Sequence, residues 1–212
     1  MAKVRTATRT ITNAGQRRTL VCIATDKALG EMPTESWVEY DCLLPLIFDP
    51  DIVQIQVQPE TFTVEVDGKL HKYTPDARYT RRSGVMGLSE FKDSGKPLTP
   101  DQVAVLQAAT GELGRQGYEF GVVWSGDVRR GYRLHNIRLL KRYARWKADP
   151  AVKPVVLAYL DSHTATTLQE LRELVGPSNY GSLYQLLWLH VLTADFDAEP
   201  LSGSSLVWRT PS

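Results

Sequence analysis

This 212-residue sequence has only two cysteines, four histidines and no long run of apolar residues. Cys22 and Cys42 do not form a CxxC pair, which argues against a disulfide framework and predicts reduced thiols in a cytoplasmic protein. The histidines are scattered and show no zinc-binding spacing. Because the sequence contains no stretch of about 20 apolar residues and no apolar segment near Met1, we expect neither membrane insertion nor secretion.

The formal net charge of +1 hides an uneven distribution of charge along the chain. Residues 1–18 contain five basic side chains and residues 129–147 contain eight, and neither segment contains an acid. Two basic segments on a nearly neutral chain predict contact with a polyanion such as double-stranded DNA, although a solvated helix face and a polar tail would have the same composition. The candidate DNA-binding residues of the second segment are Arg129, Arg130, Arg133, Arg138, Lys141, Arg142 and Arg145.

The apolar pattern predicts an α/β fold in which a mixed sheet is flanked by helices. On the strand at 52–58, Val53, Ile55 and Val57 alternate with glutamines, and Asp67-Gly68 predicts a two-residue hairpin turn. On the helix at 99–117 we expect the buried face to contain Val103, Leu106, Thr110 and Leu113. The predicted elements are a strand at 19–24, a helix at 34–48, strands at 52–58, 62–66, 70–74 and 85–92, a helix at 99–117, a strand at 118–124 and a basic helix that follows it.

The remainder of the chain has a different composition. Residues 148–212 carry three basic and seven acidic side chains, and Asp149-Pro150 predicts a domain boundary. Three helical segments at 155–162, 168–175 and 180–192, followed by a short strand-and-turn region, are typical of a winged helix. Because the third helix has no Lys or Arg, we expect it to contact a protein and not DNA. The predicted organisation is a basic arm at 1–18, a nuclease domain at 19–148 and a winged-helix-like domain at 149–212.

Two short acidic motifs carry the predicted chemistry: Tyr73-Thr74-Pro75-Asp76 and, further along, Glu90-Phe91-Lys92. Carboxylates from adjacent strands can hold Mg²⁺, or Mn²⁺ in its place, and the carbonyl of Phe91 can add a ligand. Lys92 would orient the attacking water and stabilise negative charge on the phosphate. A third carboxylate, Glu39, is available upstream, although Ser36-x-x-Glu39 also fits a helix capping box. Gln58 is a candidate for positioning the site or the DNA, and a surface glutamine is the alternative.

In their order and spacing, these segments resemble the TnsA endonucleases of heteromeric transposons. The resemblance covers roughly residues 30–147 and implies a restriction-endonuclease-like fold. It also implies a subunit that cuts the 5′ strands at transposon ends, working with a partner transposase and an ATPase regulator. The segments are Ser36-Trp37-Val38-Glu39-Tyr40, Phe48-Asp49-Pro50, Ile55-Gln56-Val57-Gln58-Pro59, Tyr73-Thr74-Pro75-Asp76 and Glu90-Phe91-Lys92.

By the same resemblance, Glu39, Asp76 and Glu90 would be metal ligands and Lys92 the catalytic lysine. Some members of the family have Gln where this chain has Glu90, and the acid is the more general nuclease pattern. Two alternatives therefore stay open. One is a stand-alone restriction- or repair-type endonuclease of the same fold, and the other is a non-catalytic DNA-binding assembly subunit.

Overall fold

The computed structural model describes residues 21–211, so the basic arm predicted at 1–18 lies outside the described residues. The chain divides into two compact units between Val128 and Arg129. This division precedes the predicted domain boundary and groups the basic segment 129–147 with the C-terminal part of the chain. Within the described range, no helix combines the length and apolar character needed to cross a bilayer.

The first unit alternates short strands with three helices. In chain order its elements are β1 (Val21–Cys22), β2 (Pro33–Thr34), α1 (Trp37–Phe48), β3 (Ile52–Val57), β4 (Phe62–Val66), β5 (Lys69–Tyr73), β6 (Ala77–Arg81), β7 (Met86–Lys92), α2 (Pro100–Arg115), β8 (Glu119–Trp124) and α3 (Ser125–Val128).

A four-stranded mixed sheet with the order β3-β6-β7-β8 forms the centre of this unit. The first three strands are antiparallel, and β8 pairs parallel to β7 after the chain crosses over through α2. The mixed α/β architecture is therefore confirmed. Strand β6 was missed from the sequence because its residues, Ala77-Arg78-Tyr79-Thr80-Arg81, form no apolar run. Gly87 lies opposite Tyr79, and a side chain at Gly87 would collide with the tyrosine ring.

Strands β4 and β5 form the predicted hairpin, which is a separate two-stranded sheet. Asp67 and Gly68 both have positive φ angles, 49° and 74°, as expected for the turn that joins tightly paired antiparallel strands. One face of the hairpin packs Phe62 and Val64 against Leu106, Ala109 and Leu113 of α2. The hairpin is therefore anchored on α2 at its base.

The buried faces predicted for β3 and for α2 are wrong at individual residues. The pairing of β3 with β6 shifts between Ile52 and Gln54, so that Ile52 is buried and Val53 is 40% exposed. Such a bulge interrupts the strict alternation from which the face was predicted. On α2, Val103 and Thr110 are exposed, and Ala109 joins Leu106 and Leu113 in the core.

The second unit consists of helices and a small sheet. Its elements are α4 (Arg133–Lys141), α5 (Val152–Asp161), β9 (Thr166–Thr167), α6 (Leu168–Val175), α7 (Tyr180–Trp188), β10 (Leu192–Ala194) and β11 (Leu206–Arg209). The three strands form an antiparallel sheet in the order β10-β11-β9. The three helical segments predicted after residue 149 are present, whereas β9 was not predicted.

Helix α4 belongs to the core of this second unit. Leu134, Ile137 and Leu140 are buried, and the helix contacts α7. Asn136 is fully buried, and its amide binds three backbone groups of the segment 196–201. Its Nδ2 donates to the carbonyls of Phe196 and Glu199 at 3.0 and 2.8 Å, and its Oδ1 accepts from the N–H of Leu201 at 2.8 Å. Both N–H groups of the amide therefore have an acceptor, and its oxygen has a donor.

Candidate active site

Asp76 lies in the loop between β5 and β6 and is tied to the strand that carries the second acidic motif. Its Oδ2 accepts a hydrogen bond from the backbone N–H of Phe91 at 2.6 Å. Its own carbonyl accepts from the N–H of Gln58 at 2.8 Å. The loop is therefore fixed to β3 on one side and to β7 on the other, which places the Asp76 carboxylate beside Glu90.

Glu90 and Lys92 lie two residues apart on β7 and so project from the same face of the strand. Glu90 is only 8% exposed, and both of its carboxylate oxygens are bound. Oε1 accepts from Lys92 Nζ at 2.5 Å, and Oε2 accepts from the hydroxyl of Tyr73 at 2.7 Å. The lysine ammonium group is thus held against a buried carboxylate at the end of the strand.

The electrostatics show that these side chains form one cluster. The pKa of Asp76 is raised to about 7, chiefly by burial, and the charges of Glu90 and, less strongly, of Glu39 act in the same direction. The N–H of Phe91 and the charge of Lys92 act in the opposite direction. At neutral pH the carboxylates therefore carry more negative charge than the surrounding protein compensates, so the site favours binding a proton or a cation.

Tyr73 is a site residue that sequence reasoning missed. Burial and the adjacent Glu90 raise the pKa of its hydroxyl, so the group stays protonated and acts as a hydrogen-bond donor. The donated bond fixes the Glu90 carboxylate. Its role could have been suspected from its position in the Tyr73-Thr74-Pro75-Asp76 motif. Tyr73 ends a strand whose other residues are exposed.

Glu39 makes the capping contacts predicted for it. The hydroxyl of Ser36 accepts from the N–H of Glu39 at 3.2 Å, and Glu39 Oε2 accepts from the N–H of Glu35 at 2.7 Å. The negative charge of Glu39 nevertheless contributes to the raised pKa of Asp76. A cavity of about 10 Å³, comparable to the space of one water molecule, is lined by Glu39, Gln58, Asp76 and Phe91 among others.

The described side chains do not gather all of the predicted metal ligands into one cluster. Among residues 21–211, no group of three or more His, Cys, Asp or Glu side chains is arranged to hold a metal ion. Glu39 faces the small cavity, whereas Glu90 lines a larger cleft. What the structure provides is a pair of neighbouring carboxylates, Asp76 and Glu90, next to the backbone of Phe91. This donor set fits Mg²⁺, which commonly takes one or two carboxylates and retains several waters. The role of Glu39 as a third ligand stays a prediction.

Gln58 was expected on the polar face of its strand, and the structure buries it instead. It follows β3 with a positive φ of 43°, an uncommon conformation for a residue other than glycine. Its Nε2 lies 3.5 Å from Glu35 Oε1, and its N–H binds Asp76. A supporting position beside the site is therefore favoured over a plain surface glutamine.

The candidate DNA-binding residues all belong to the second unit. Six of the seven are exposed, and Lys141 is half-buried with its ammonium group 5.6 Å from the centre of the Trp188 ring. Arg133 pairs with Asp197 at 3.1 Å. Most of the basic face is therefore available to solvent, while Lys141 also has a packing role. The exposed members are Arg129, Arg130, Arg133, Arg138, Arg142 and Arg145.

No protein-family model matches this chain, and no curated protein matches it.

Proposed function

We propose that this protein is a divalent-cation-dependent DNA endonuclease subunit of a TnsA-like heteromeric transposase. It hydrolyses the 5′ strands at transposon ends in the cytoplasm, together with a partner transposase and an ATPase regulator. The observation that carries the proposal is the single electrostatic cluster of Asp76, Glu90 and Lys92 on adjoining segments of a mixed sheet. The proposal includes a restriction-endonuclease-like core in the first unit and a winged-helix-like module after residue 149.

The order of elements supports these finer fold assignments. In the first unit a capped helix precedes the antiparallel strands, Asp76 precedes β6, Glu90 and Lys92 end β7, and α2 crosses over to a parallel strand. In the second unit the order α5-β9-α6-α7-β10-β11 ends in a three-stranded sheet. This is the succession of helices and wing strands expected of a winged helix.

In the proposed mechanism, Asp76, Glu90 and the carbonyl of Phe91 would hold Mg²⁺ or Mn²⁺, which when bound would supply Lewis-acid activation of water and of the scissile phosphate. Tyr73 fixes the Glu90 carboxylate by its hydrogen bond. Lys92, held by Glu90, places a positive charge where it can orient the attacking water and stabilise the negative charge that develops on the phosphate. Because the pKa of Asp76 is raised to about 7, its carboxyl group can gain or lose a proton near neutral pH.

A stand-alone restriction- or repair-type endonuclease is the second candidate. The acid at position 90 favours it, because Glu-x-Lys is the general pattern of such nucleases and Glu90 here is buried and paired with Lys92. The two candidates differ in what cleavage requires. The transposase subunit should cut only with its partner proteins and transposon-end DNA, whereas a stand-alone nuclease should cut plasmid DNA with the cation alone. The intact cluster argues against a non-catalytic assembly subunit.

The proposal predicts that Lys92→Ala lowers the rate of cation-dependent strand cleavage by at least about 100-fold, because one electrostatic contact to the developing charge typically contributes that much. Cleavage would be measured on plasmid DNA with Mg²⁺ or Mn²⁺, with and without the partner transposase. Lys96→Ala is the matched control, since Lys96 is a highly exposed lysine near the same strand end and pairs only loosely with Asp93 at 3.7 Å.

Wild-type cleavage by Lys92→Ala would contradict the proposed role of the cluster. Cation binding gives a second readout, because a cation between Asp76 and Glu90 should displace the proton that burial retains on Asp76. Calorimetric titration with Mn²⁺ in buffers of different ionisation enthalpy should show proton release from the wild type and none from Asp76→Asn. Equal proton release from both proteins would count against these carboxylates as ligands.

A further inference from the structure

The hairpin β4–β5 and helix α2 enclose a cleft of about 580 Å³ in the first unit. This is within the range of about 300–1,000 Å³ that ligand-binding clefts occupy. Glu90 and Lys92 lie at one end of it, and Lys69 lies near the tip of the hairpin. The cleft therefore leads from the candidate catalytic residues out along the hairpin.

The alternation of β5 determines which side chains enter this cleft. Tyr73, His71 and Lys69 lie on one face of the hairpin, paired with Phe62, Val64 and Val66 respectively. Successive members are about 6.6 Å apart, since a strand rises about 3.3 Å per residue. They form a row that begins at the Tyr73–Glu90 hydrogen bond and leads away from it. Two of the three carry nitrogen donors suited to phosphate oxygens.

His71 and Lys69 occupy the core-facing side of the hairpin, where apolar residues would ordinarily close the space against α2. Phe62, Val64 and Tyr73 do so at the base of the hairpin and are buried. Beyond them, His71 and Lys69 are exposed, and Ala104, Val105 and Leu106 form the opposite wall. In the described part of the chain, the side chains of His71 and Lys69 have no hydrogen-bond or ion-pair partner. The space between the outer half of the hairpin and α2 is therefore open to solvent and lined by hydrogen-bond donors.

The charges in the cleft fit an anionic strand that is contacted on one side only. Lys69, His71 and Lys92 provide positive charge or donors along the hairpin side and the sheet end. Negative charge is provided by Asp101 at the first turn of α2, by Asp67 in the hairpin turn and, at the sheet end, by Glu90, which is paired with Lys92. A polyanion would therefore follow the row of donors, while the apolar side chains of α2 contact its sugars or bases.

We infer that this cleft binds the DNA strand that is cut, with Lys69 and His71 contacting the phosphates next to the scissile one. The inference rests on the proposed function, because it is Glu90 and Lys92 that make the end of the cleft a reaction site. The recognised chemistry is the phosphodiester backbone of one strand. Such a strand can come from an unpaired segment or from a duplex.

The test uses the full-length protein with a double substitution, Lys69→Gln with His71→Ala. Dissociation constants would be measured in metal-free buffer for a single-stranded oligonucleotide of about 12 nucleotides and for a duplex of about 20 base pairs, over a range of salt. The matched control is Lys72→Gln. Lys72 is exposed on the same strand, and its pairing with Thr63 places it on the opposite face of the hairpin.

The double variant should bind the single-stranded oligonucleotide about 10-fold more weakly than the wild type, and the slope of log K against log salt should fall by about 0.7 for each lost phosphate contact. Lys72→Gln should remain within twofold of the wild type. A loss confined to the single strand would show that an unpaired segment enters the cleft, and a loss with both probes would show that a duplex strand does. In cleavage assays KM should rise with kcat nearly unchanged.

An unchanged thermal midpoint would show that the double variant folds, as its exposed positions lead us to expect. Equal binding by the double variant and Lys72→Gln would overturn the inference, even if Lys92→Ala abolishes cleavage and the proposed function stands. Conversely, oligonucleotide binding that depends on Lys69 and His71 would support the cleft even if no cation elicits cleavage. That result would count against the proposed function alone.

Discussion

The two units of this protein differ in charge as clearly as they differ in architecture. Residues 21–128 carry nine basic and seventeen acidic side chains, whereas residues 129–211 carry eleven basic and seven acidic ones. The acidic unit contains Asp76, whose pKa is raised chiefly by burial and also by the charge of the neighbouring Glu90. The basic unit contains most of the exposed arginines. In the proposed function, chemistry and general affinity for a polyanion would thus be concentrated in different units.

This comparison changes how the charge along the sequence is understood. Residues 148–212 are acidic when counted alone, which suggested that the C-terminal module avoids DNA. The structure adds α4 and its flanking arginines to that module, and its net charge then becomes positive. The aromatic side chains of the third helix, α7, also contact residues of their own unit. Tyr184 is buried and stacks on Tyr143 with ring centres 4.7 Å apart, and Trp188 and Tyr180 lie next to Lys141 and Arg172. The argument for a protein partner at that helix is weaker as a result.

The largest expected effect concerns the basic unit. Replacing Arg138, Arg142 and Arg145 together with Gln should weaken binding of duplex DNA by about 100-fold at low salt. The slope of log K against log salt should fall by about 0.9 for each phosphate contact removed. Fluorescence anisotropy over a salt series would measure both quantities. Lys153→Gln, an exposed change on α5 of the same unit, should leave them unaltered.

An unchanged salt slope in the triple variant would remove the distinction between the units. DNA affinity would then have to come from elsewhere in the chain, and the exposed arginines of the second unit would be ordinary solvated side chains. Retention of the wild-type thermal midpoint is needed alongside, because the stem of an arginine can also pack against neighbouring apolar groups.

The next effect tests whether α4 is structurally part of the second unit. Asn136→Leu should lower the free energy of unfolding by about 2–4 kcal/mol, since three backbone groups lose their buried partner and each costs about 1–3 kcal/mol when left unsatisfied, partly offset by the apolar side chain. Hydrogen exchange should show lost protection in α4 and in the segment 196–201. The control is His135→Ala, an exposed change at the adjacent position of the helix.

Equal loss of protection in the sheet β3-β6-β7-β8 would contradict the division into units. Unchanged protection of the amide of Leu201 would contradict the role of Asn136, because that N–H donates to Asn136 Oδ1. Either result would favour the domain boundary predicted from the sequence, which placed the basic helix inside the nuclease domain at 19–148.

The reasons for success and failure of sequence reasoning are visible in particular residues. The capped helices, the Asp67-Gly68 hairpin and β7 were predictable, because Ser36, Thr99 and Gly68 act through local hydrogen bonds and local backbone preferences. Strand β6 was not, because its five residues are held by partners on both sides and not by their own apolar pattern. Long-range pairing leaves a weak trace in the local sequence.

The same contrast applies to the candidate site. The approach of Asp76 to Glu90 could be predicted, because acidic motifs at the ends of adjoining strands meet at one edge of a sheet. The hydrogen bond from Tyr73 and the burial of Gln58 could not be predicted, because each depends on contacts between segments that are distant in the sequence. Tyr73 on β5 reaches Glu90 on β7, and Gln58 after β3 binds the backbone of Asp76 before β6. The packing of α4 into the second unit depends on Asn136, whose partners lie about sixty residues away.

The smallest effect concerns the acidic unit and the dependence of its stability on pH. The pKa of Asp76 is about 7 in the folded protein, well above its ordinary value of 3.8. Between about pH 4 and pH 7 the folded protein therefore retains a proton that the unfolded chain has released, so the free energy of unfolding falls as pH rises through this window and levels off above it. Asp76→Asn has no carboxylate to ionise and should not show this fall. Each unit of pKa shift corresponds to about 1.4 kcal/mol, so a shift of about three units sets an upper limit of about 4 kcal/mol. Because Asp76 is only partly shielded from solvent, we expect the variant to be more stable than the wild type by about 1–3 kcal/mol near pH 8 and similar to it near pH 4.

Urea unfolding in metal-free buffer at several pH values would measure this difference, since all other titrating groups are common to both proteins. Asp67→Asn makes the same chemical change at the exposed hairpin turn, where asparagine is equally suited to the positive φ, and its profile should run parallel to that of the wild type. A parallel profile for Asp76→Asn as well would mean that neither burial nor the neighbouring Glu90 raises the pKa of Asp76 in the folded protein. The proposed contrast between an acidic unit that would bind a cation and a basic unit that would supply affinity would then lose its physical basis, because the site could remain fully ionised at neutral pH without a bound cation.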